Sequence, residues 1–393
     1  FQVRRVAVAH PDKPRAVPVD RALLTGDAWE VVTDPRIDVV VEVMGGIEPA
    51  RSYVLRALEQ RKSVVTANKQ LMANRGRELL DAAEAAGVDL CFEASVGGGI
   101  PLIRPIKEGL AANRIVEVTG ILNGTTNYIL TRMTREGWTF SEALSEAQAR
   151  GFAEQDPTDD VEGHDAAAKL AILASVCFNT RVTASDVPRE GISRISPRDV
   201  EYARELGYVI KLLAIGRQVD GQVEVRVHPA MIPTSHPLAA VTDEYNAVLV
   251  RGDAVGEVMF YGRGAGGGPT ASAIIADLVD VGRNRRLGAA GRLGCTCYRS
   301  TPIRDPDLSE ACFYLGLQAA DQPGVFARIA AVFGEEGVSI ASIVQKSRGE
   351  VADIVLVTHR TQEARMRRVL PRLRELAVLK EVSSVIRVEV DEA

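Results

Sequence analysis

The chain has 393 residues, 46% hydrophobic and 25% charged, and 47 Lys and Arg against 52 Asp and Glu leave a net charge of −5. That is ordinary globular composition, long enough for two or three domains. It shows no basic block to favour nucleic acid and no apolar run of membrane-spanning length.

Five cysteines, Cys91, Cys177, Cys295, Cys297 and Cys312, form no disulfide framework. Their odd number points to a reducing, cytoplasmic setting. Cys295 and Cys297 are too close for standard zinc spacing and read as structural. No signal peptide is read. Phe1 stands where a methionine is expected, so the natural start is expected upstream.

The elements are predicted in order. Val3 to Ala9 reads as a buried strand, Asp38 to Met44 as a second, and Ser63 to Ala67 as a third. Helices are expected over Ser52 to Gln60 and Asn74 to Ala86. Gly87 is the stop, and a strand follows over Val88 to Glu93. Apolar strands alternating with helices predict a parallel doubly wound sheet, Rossmann-like, in an α/β protein. Ligands of such sheets sit beyond the carboxyl ends of the strands. Gly45, Gly46, Thr66, Asn68, Lys69 and Glu93 fall there. Lys69 reads either as a ligand-edge cation or as a surface residue.

No G-x-G-x-x-G follows an early strand, so that fingerprint is expected upstream of Phe1. His10, Lys13 and Arg15 follow the first strand, which leans toward NADP over NAD. A solvated loop is the plainer reading. The stretch EASVGGGIP from Glu93 to Pro101 has three glycines, which allow close backbone approach to a ligand. Pro101 suits the first turn of a following helix.

Ile115 to Leu122 reads as a strand. Asn123 to Asn127 reads as a polar loop that could contact substrate through Thr125, and a helix follows from Tyr128. Another helix is expected over Glu142 to Arg150. The acidic loop after Gly151 carries Glu154, Asp156, Asp159 and Asp160. It leads into an apolar helix over Ala166 to Cys177, interrupted only by Lys169 and Ser175. Asp165 and Lys169 share one face of that helix. Lysine is rarely buried without a reason, and desolvation favours its uncharged, proton-accepting form. An ordinary helix ion pair is the alternative. Arg198 to Ile215 is predicted helical, with strands after it completing a mixed sheet. Gly262 to Thr270 is a glycine-rich turn opening a helix. It could be an anion site or merely a helix start.

VVTANK, EASVGGGIP, GILNGTTNYIL and GFAEQDPTDDVEGHDAAAKLAIL, in this order, resemble homoserine dehydrogenase over about residues 1 to 280. The resemblance implies NAD(P)-dependent interconversion of L-homoserine and L-aspartate 4-semialdehyde. It implies Lys169 as acid/base catalyst and Lys69 as a second active-site lysine beside the cofactor. Glu154 and Asp165 would bind homoserine, with Thr125 and Asp160 as further substrate contacts. Gly45, Gly46, Thr66, Gly151 and Gly266 would line the cofactor. Glu93, Val96, Gly98 and Ile100 would hold a sodium ion, largely through backbone oxygens. A lysine that stabilises and protonates a developing alkoxide suits this chemistry, and a carboxylate suits a substrate ammonium.

After a Gly- and Arg-rich stretch, Phe313 to Gln318, a helix from Val325, Val338 to Gln345, Val351 to Thr358, Gln362 to Leu376 and Val382 to Val390 follow a β-α-β-β-α-β plan. The D-x-P-G turn at Asp321 resembles an ACT domain. That implies an amino-acid effector site at Asp321, Pro323, Gly324, Val325 and Ser339, with threonine the natural candidate. A dimerisation module without ligand is the alternative. The expected domains are 1–112 for nucleotide and 113–261 for an α+β substrate, catalytic and dimerisation domain. The helix at 269–283 returns to the first. Residues 284–312 form a linker and 313–393 a ferredoxin-like ACT domain. A homodimer or homotetramer is expected. The rival functions are another NAD(P)-dependent dehydrogenase and a non-catalytic amino-acid sensor. A semialdehyde dehydrogenase would need an activated cysteine, whereas Cys91 and Cys177 lie in apolar runs.

Overall fold

The computed structural model describes residues 1–292, 294–346 and 351–389. It forms two compact units. The first comprises Phe1–Arg114, Ala171–Ala184 and Arg263–Ser300; the second comprises Ile115–Leu170, Ser185–Gly262 and Thr301–Ala393.

In the first unit, β1 (Val6–Ala7) and β2 (Leu24–Thr25) pair in parallel as a sheet of their own. Val3 to Ala9 was expected as a buried strand. Only Val6 and Ala7 of it form a strand, which among the described residues pairs with β2 alone, and Val3 is 64% exposed. Helix α1 (Trp29–Thr33) precedes the parallel sheet of β3 (Val39–Glu42), β4 (Ser63–Thr66) and β5 (Leu90–Cys91), with α2 (Ala50–Glu59) and α3 (Lys69–Ala86) as crossovers. All four β4 residues are buried, as a central strand covered on both faces requires. The third strand of this sheet is shorter than expected, because Glu93–Ser95 closes into a 3-10 turn.

Helix α3 starts at Lys69 rather than Asn74. The Asn68 side chain accepts from Leu71 N at 3.0 Å and caps it, and Gly87 at φ 67° stops it. Lys69 is therefore the first residue of a helix. Pro101 does not open one. The chain bends first, and a π-helical turn runs over Pro105–Gly109.

In the second unit, β6 (Ile115–Ile121) lies between two antiparallel neighbours. Helix α4 (Gly124–Glu136) begins four residues before Tyr128, so the expected polar loop is the first helical turn. Asn123 again supplies the reason, since its side chain accepts from Thr126 N at 2.8 Å. Next come α5 (Phe140–Ala149), the single turn α6 (Thr158–Val161) and α7 (His164–Phe178). His164 to Leu170 of α7 belong to the second unit and the rest to the first.

Helix α8 (Pro197–Glu205) ends at Gly207, φ 81°, and Tyr208 onward is strand, not the helix predicted to Ile215. The apolar run YVIKLLAI carries no period that separates a buried strand from a buried helix. Pairing decides it. β7 (Tyr208–Val219) and β8 (Gln222–Pro233) form a twelve-residue antiparallel hairpin. Asp220 and Gly221 stand at φ 50° and 73° in its turn, as a two-residue hairpin loop demands. Strands β9 (Tyr245–Gly252) and β10 (Gly256–Arg263) complete this part of the sheet. Helix α9 (Gly267–Leu287) belongs to the first unit.

The C-terminal module has the expected plan: β11 (Glu310–Ala320), α10 (Val325–Glu335), β12 (Ile340–Gln345), β13 (Val351–Thr358), the short β14 (Thr361–Gln362), α11 (Glu363–Arg374) and β15 (Leu379–Val388). Val390, the predicted end of the last strand, lies outside the described residues. Phe313, Leu315, Leu317, Ile329, Phe333, Ile354, Leu356 and Leu373 pack as its core. β15 also pairs in parallel with β8, Arg387 opposite Ala230 and Val388 opposite Met231. One ten-stranded sheet thus runs from β10 through β8 and β15 to β12. Glu389 adds ion pairs to Arg217 at 3.0 Å and Arg226 at 2.8 Å across this junction.

Candidate active site

Helix α7 is strongly apolar, and Ala166–Ala168 and Leu170–Ala174 are buried. Lys169 is 9% exposed and Asp165 3%. One turn apart on one face, they meet: Lys169 Nζ donates to Asp165 Oδ2 at 2.7 Å and to Leu122 O at 2.8 Å. The lysine is neither a surface residue nor an isolated helix pair. Its ammonium is fixed at the carboxyl end of β6.

Asn123, the cap of α4, ties the acids together. Its Nδ2 donates to Asp165 Oδ2 at 2.9 Å and to Asp160 Oδ1 at 2.6 Å. Burial pushes the Asp160 carboxyl above its ordinary range, with Asp165 adding to the effect and Asn123 opposing it. The Thr125 hydroxyl donates to Phe152 O at 2.7 Å and pins the acidic loop beside this cluster. Of the predicted substrate residues, Asp160, Asp165 and Thr125 therefore gather around Lys169. Glu154 is exposed on the loop, where its backbone oxygen accepts from Gln148 Nε2 at 3.1 Å.

The predicted cofactor residues of the first unit cluster beyond β3 and β4. The Thr66 hydroxyl donates to Glu42 Oε2 at 2.6 Å, and Asn68 Nδ2 donates to Gly46 O at 2.7 Å. Met44 N donates to Glu42 Oε1 at 2.7 Å, so the Glu42 carboxylate shapes the Gly45-Gly46 turn. Both glycines stand at positive φ, with open space where Gly45 would carry a Cβ. Gly151, at φ 75°, also faces open space, and Gly266 precedes the first turn of α9.

The predicted ion residues form a tight turn. Glu93 spends its carboxylate on backbone amides: Oε1 accepts from Leu102 N and from Ile103 N at 2.7 Å, and Oε2 from Arg104 N at 2.9 Å. Any cation at Glu93, Val96, Gly98 and Ile100 would therefore meet backbone oxygens. Glu93 N donates to Asp277 Oδ2 at 3.0 Å, and burial raises the Asp277 carboxyl to about 6. At Gly98, φ 55°, a Cβ would come within 2.4 Å of Gly264 O. Gly98→Ala is accordingly expected to destabilise the fold by about 3 kcal/mol or more, since backbone cannot yield as a side chain can. Urea denaturation checks this, and a midpoint like that of the parent would contradict the packing.

The predicted effector residues occupy one end of the C-terminal module. Asp321, Pro323 and Gly324 are exposed, Gly324 precedes α10 at φ 86°, and Val325 is buried. Gln345 Nε2 donates to Asp321 Oδ1 at 3.0 Å, and Ser339 O accepts from His359 N at 2.8 Å.

Residues that sequence reasoning missed are Glu42 and Lys211. Asn123 and Asn68 each precede a helix, the ordinary place for a cap, and their second bonds are visible only in three dimensions. Lys211, 2% exposed in β7, donates to Asn127 Oδ1 at 3.1 Å and to Val241 O. Its burial draws its pKa down to about 8.

Comparison with known proteins agrees with this geometry. Residues 101–279 match the sequence model described as homoserine dehydrogenase, 1–93 that of the homoserine dehydrogenase NAD binding domain, and 313–378 that of the ACT domain. The Bacillus subtilis homoserine dehydrogenase is 46% identical over 98% of this chain and 90% of its own length. That of Mycobacterium tuberculosis is 48% identical over the same shares. The crystal structure of a homoserine dehydrogenase from Thiobacillus denitrificans superposes with a TM-score of 0.89 at 45% identity, covering 93% of this chain and 85% of that one. A hyperthermophilic archaeal homoserine dehydrogenase mutant in complex with NADPH gives 0.58 at 30% identity, over 66% and 75%. With its nucleotide domain, its buried Lys–Asp–Asn–Asp cluster and its ACT module, the chain belongs to the homoserine dehydrogenase family.

Proposed function

We propose that this oxidoreductase interconverts L-homoserine and L-aspartate 4-semialdehyde, with Lys169 handling the proton. The observation that carries the reading is the Lys169 ammonium, buried and held by Asp165 and Leu122 O. It has three N–H bonds, and two are engaged in the protein. The third serves the substrate oxygen, where it stabilises negative charge as the aldehyde is reduced and then supplies the proton. In the reverse direction the amine receives the hydroxyl proton. Asp165 and Asn123 hold Lys169 in place, Asp160 and Glu154 offer carboxylates to the substrate ammonium, and Thr125 anchors the loop that carries them.

The open Gly45-Gly46 turn, Thr66, Lys69 and Gly266 of the first unit fit a dinucleotide, which when bound supplies or accepts the hydride. Lys13 and Arg15, exposed after β1, favour NADP over NAD through charge. The backbone oxygens of Glu93, Val96, Gly98 and Ile100 are hard donors that suit sodium. Threonine is the effector assigned to Asp321, Pro323, Gly324, Val325 and Ser339. Strand β10, at the end of the strand order among the described residues, exposes Met259 and Tyr261, which supports a homodimer or homotetramer. The five free thiols accord with a cytoplasmic setting.

The test is nicotinamide absorbance after adding aspartate 4-semialdehyde. Absorbance should fall with NADPH faster than with NADH, more slowly when choline replaces sodium, and more slowly again with threonine present. No fall with either cofactor would leave the amino-acid sensor as the better reading. Another dehydrogenase dependent on a cysteine nucleophile is disfavoured by the thiols themselves. Burial pushes Cys177 up to about 12 and Cys91 upward as well, the wrong direction for a thiolate.

A further inference from the structure

The segment that follows α9 carries two cysteines unlike the other three. Cys177 is buried, and burial raises the thiols of Cys91, Cys177 and Cys312. Cys295 and Cys297 are both partly exposed and are separated by Thr296 alone. Cys297 N donates to Cys295 Sγ at 3.4 Å, and Tyr298 N donates to Thr296 O at 2.9 Å, so the chain turns back tightly at this point. Lys107 brings a cation to the same place, its Nζ donating to Gly294 O at 2.9 Å. The Cys297 sulfur lies 3.9 Å from Ser175 O. All of these residues belong to the first unit.

This is not the arrangement of two inert packing residues. The Cys297 side chain and its backbone amide beside the Cys295 sulfur draw its pKa down to about 6, while Cys297 is held as the thiol. A nucleophilic thiolate thus stands against a protonated partner, the pairing that oxidation to a disulfide requires.

We propose that Cys295 and Cys297 form a peroxide-responsive dithiol, a site of reversible covalent oxidation to an intrachain disulfide. The oxidant is a hydroperoxide. The Cys295 thiolate attacks its terminal oxygen, the O–O bond breaks, and the leaving alkoxide or hydroxide takes up a proton. Cys295 becomes a sulfenic acid. The Cys297 sulfur then attacks Cys295, its thiol proton leaves with the hydroxyl as water, and the S–S bond closes. The two thiols lose two electrons in all, and the peroxide gains them. A small dithiol reverses the reaction by exchange.

The full-length protein is treated with stoichiometric hydrogen peroxide at pH 6.5, quenched with an alkylating reagent and digested with trypsin. Cleavage after Arg292 and Arg299 isolates residues 293–299 with both cysteines. That peptide should be lighter by two hydrogens, and dithiothreitol should restore it. In C297S, Cys295 should stall as a sulfenic acid that dimedone traps. In C295S, no disulfide should form and oxidation here should slow about tenfold. That factor is the gain in thiolate fraction at pH 6.5 offset by the lower nucleophilicity of a weakly basic thiolate. The proposal is overturned if both thiols survive while Cys312 reacts, if disulfides link separate chains instead, or if the rate rises only near the pH of an ordinary thiol. Because mass is the readout, the result is independent of whether Lys169 is the catalyst.

Discussion

Lys169→Ala is expected to lower kcat at least about a thousandfold while the KM for nicotinamide cofactor stays within about threefold. The magnitude follows from losing both charge stabilisation at the substrate oxygen and the proton donor. The nucleotide residues Gly45, Gly46 and Thr66 are untouched. The substitution also strips a buried acid of its cation, because Asp165 is 3% exposed and accepts from Lys169 Nζ at 2.7 Å. Breaking a buried pair costs about 3–5 kcal/mol. Lys169→Met, which preserves the stem, should therefore be measured beside it, with circular dichroism to establish folding. A folded Lys169→Met that turns over at the parental rate would remove this lysine from the chemistry. A folded variant with kcat lost and cofactor affinity kept would establish its role.

The second large effect is expected at Asn123. Asn123→Asp keeps the helix cap, since aspartate caps about as well as asparagine. It also replaces a donor to Asp160 and Asp165 with a third carboxylate. Stability should change little through the cap, but the acids lose a neutral partner and gain a like charge. Burial and Asp165 already push Asp160 upward, and Asn123 is the strongest opposing contact, through its 2.6 Å bond. Removing that bond and adding charge both raise the pKa further. The carboxylates must be ionised to meet the substrate ammonium, so the acid limb of kcat/KM should move to higher pH by about one unit. The maximal rate should fall about a hundredfold as Lys169 loses its fixed geometry. A pH profile superimposable on that of the parent would show that Asn123 merely caps α4. Asn123→Ser, which restores the cap without the amide, separates the two roles.

How far these sites were legible can be argued from the residues themselves. Lys169 and Asp165 could be read because their message is local. A charge in an otherwise apolar helix, four residues from an acid, is visible as spacing. The parallel sheet of β3, β4 and β5 was legible for the same reason, since buried parallel strands are continuous apolar runs. The β-α-β-β-α-β order of the C-terminal module was legible from alternating periods. Tyr208 to Ile215 was not, because a buried run of eight apolar residues has no period, and only the hairpin with β8 makes it a strand. Nor was the early boundary of α4, which the Asn123 cap sets at the first residue of what looked like a loop.

Composition and spacing by themselves determined the class of fold, the acid–lysine pair and the glycine turns, because each depends on neighbours within a few residues. Only the tertiary structure decided that Asn123 bridges Asp160 and Asp165, residues 37 and 42 positions away. It alone decided that Glu93 spends its carboxylate on amides and that β15 joins β8 in one continuous sheet. The physical reason is common to all three. A hydrogen-bonding group declares its capacity in the sequence, but which partner fills it is settled by what the packed chain brings within 3 Å.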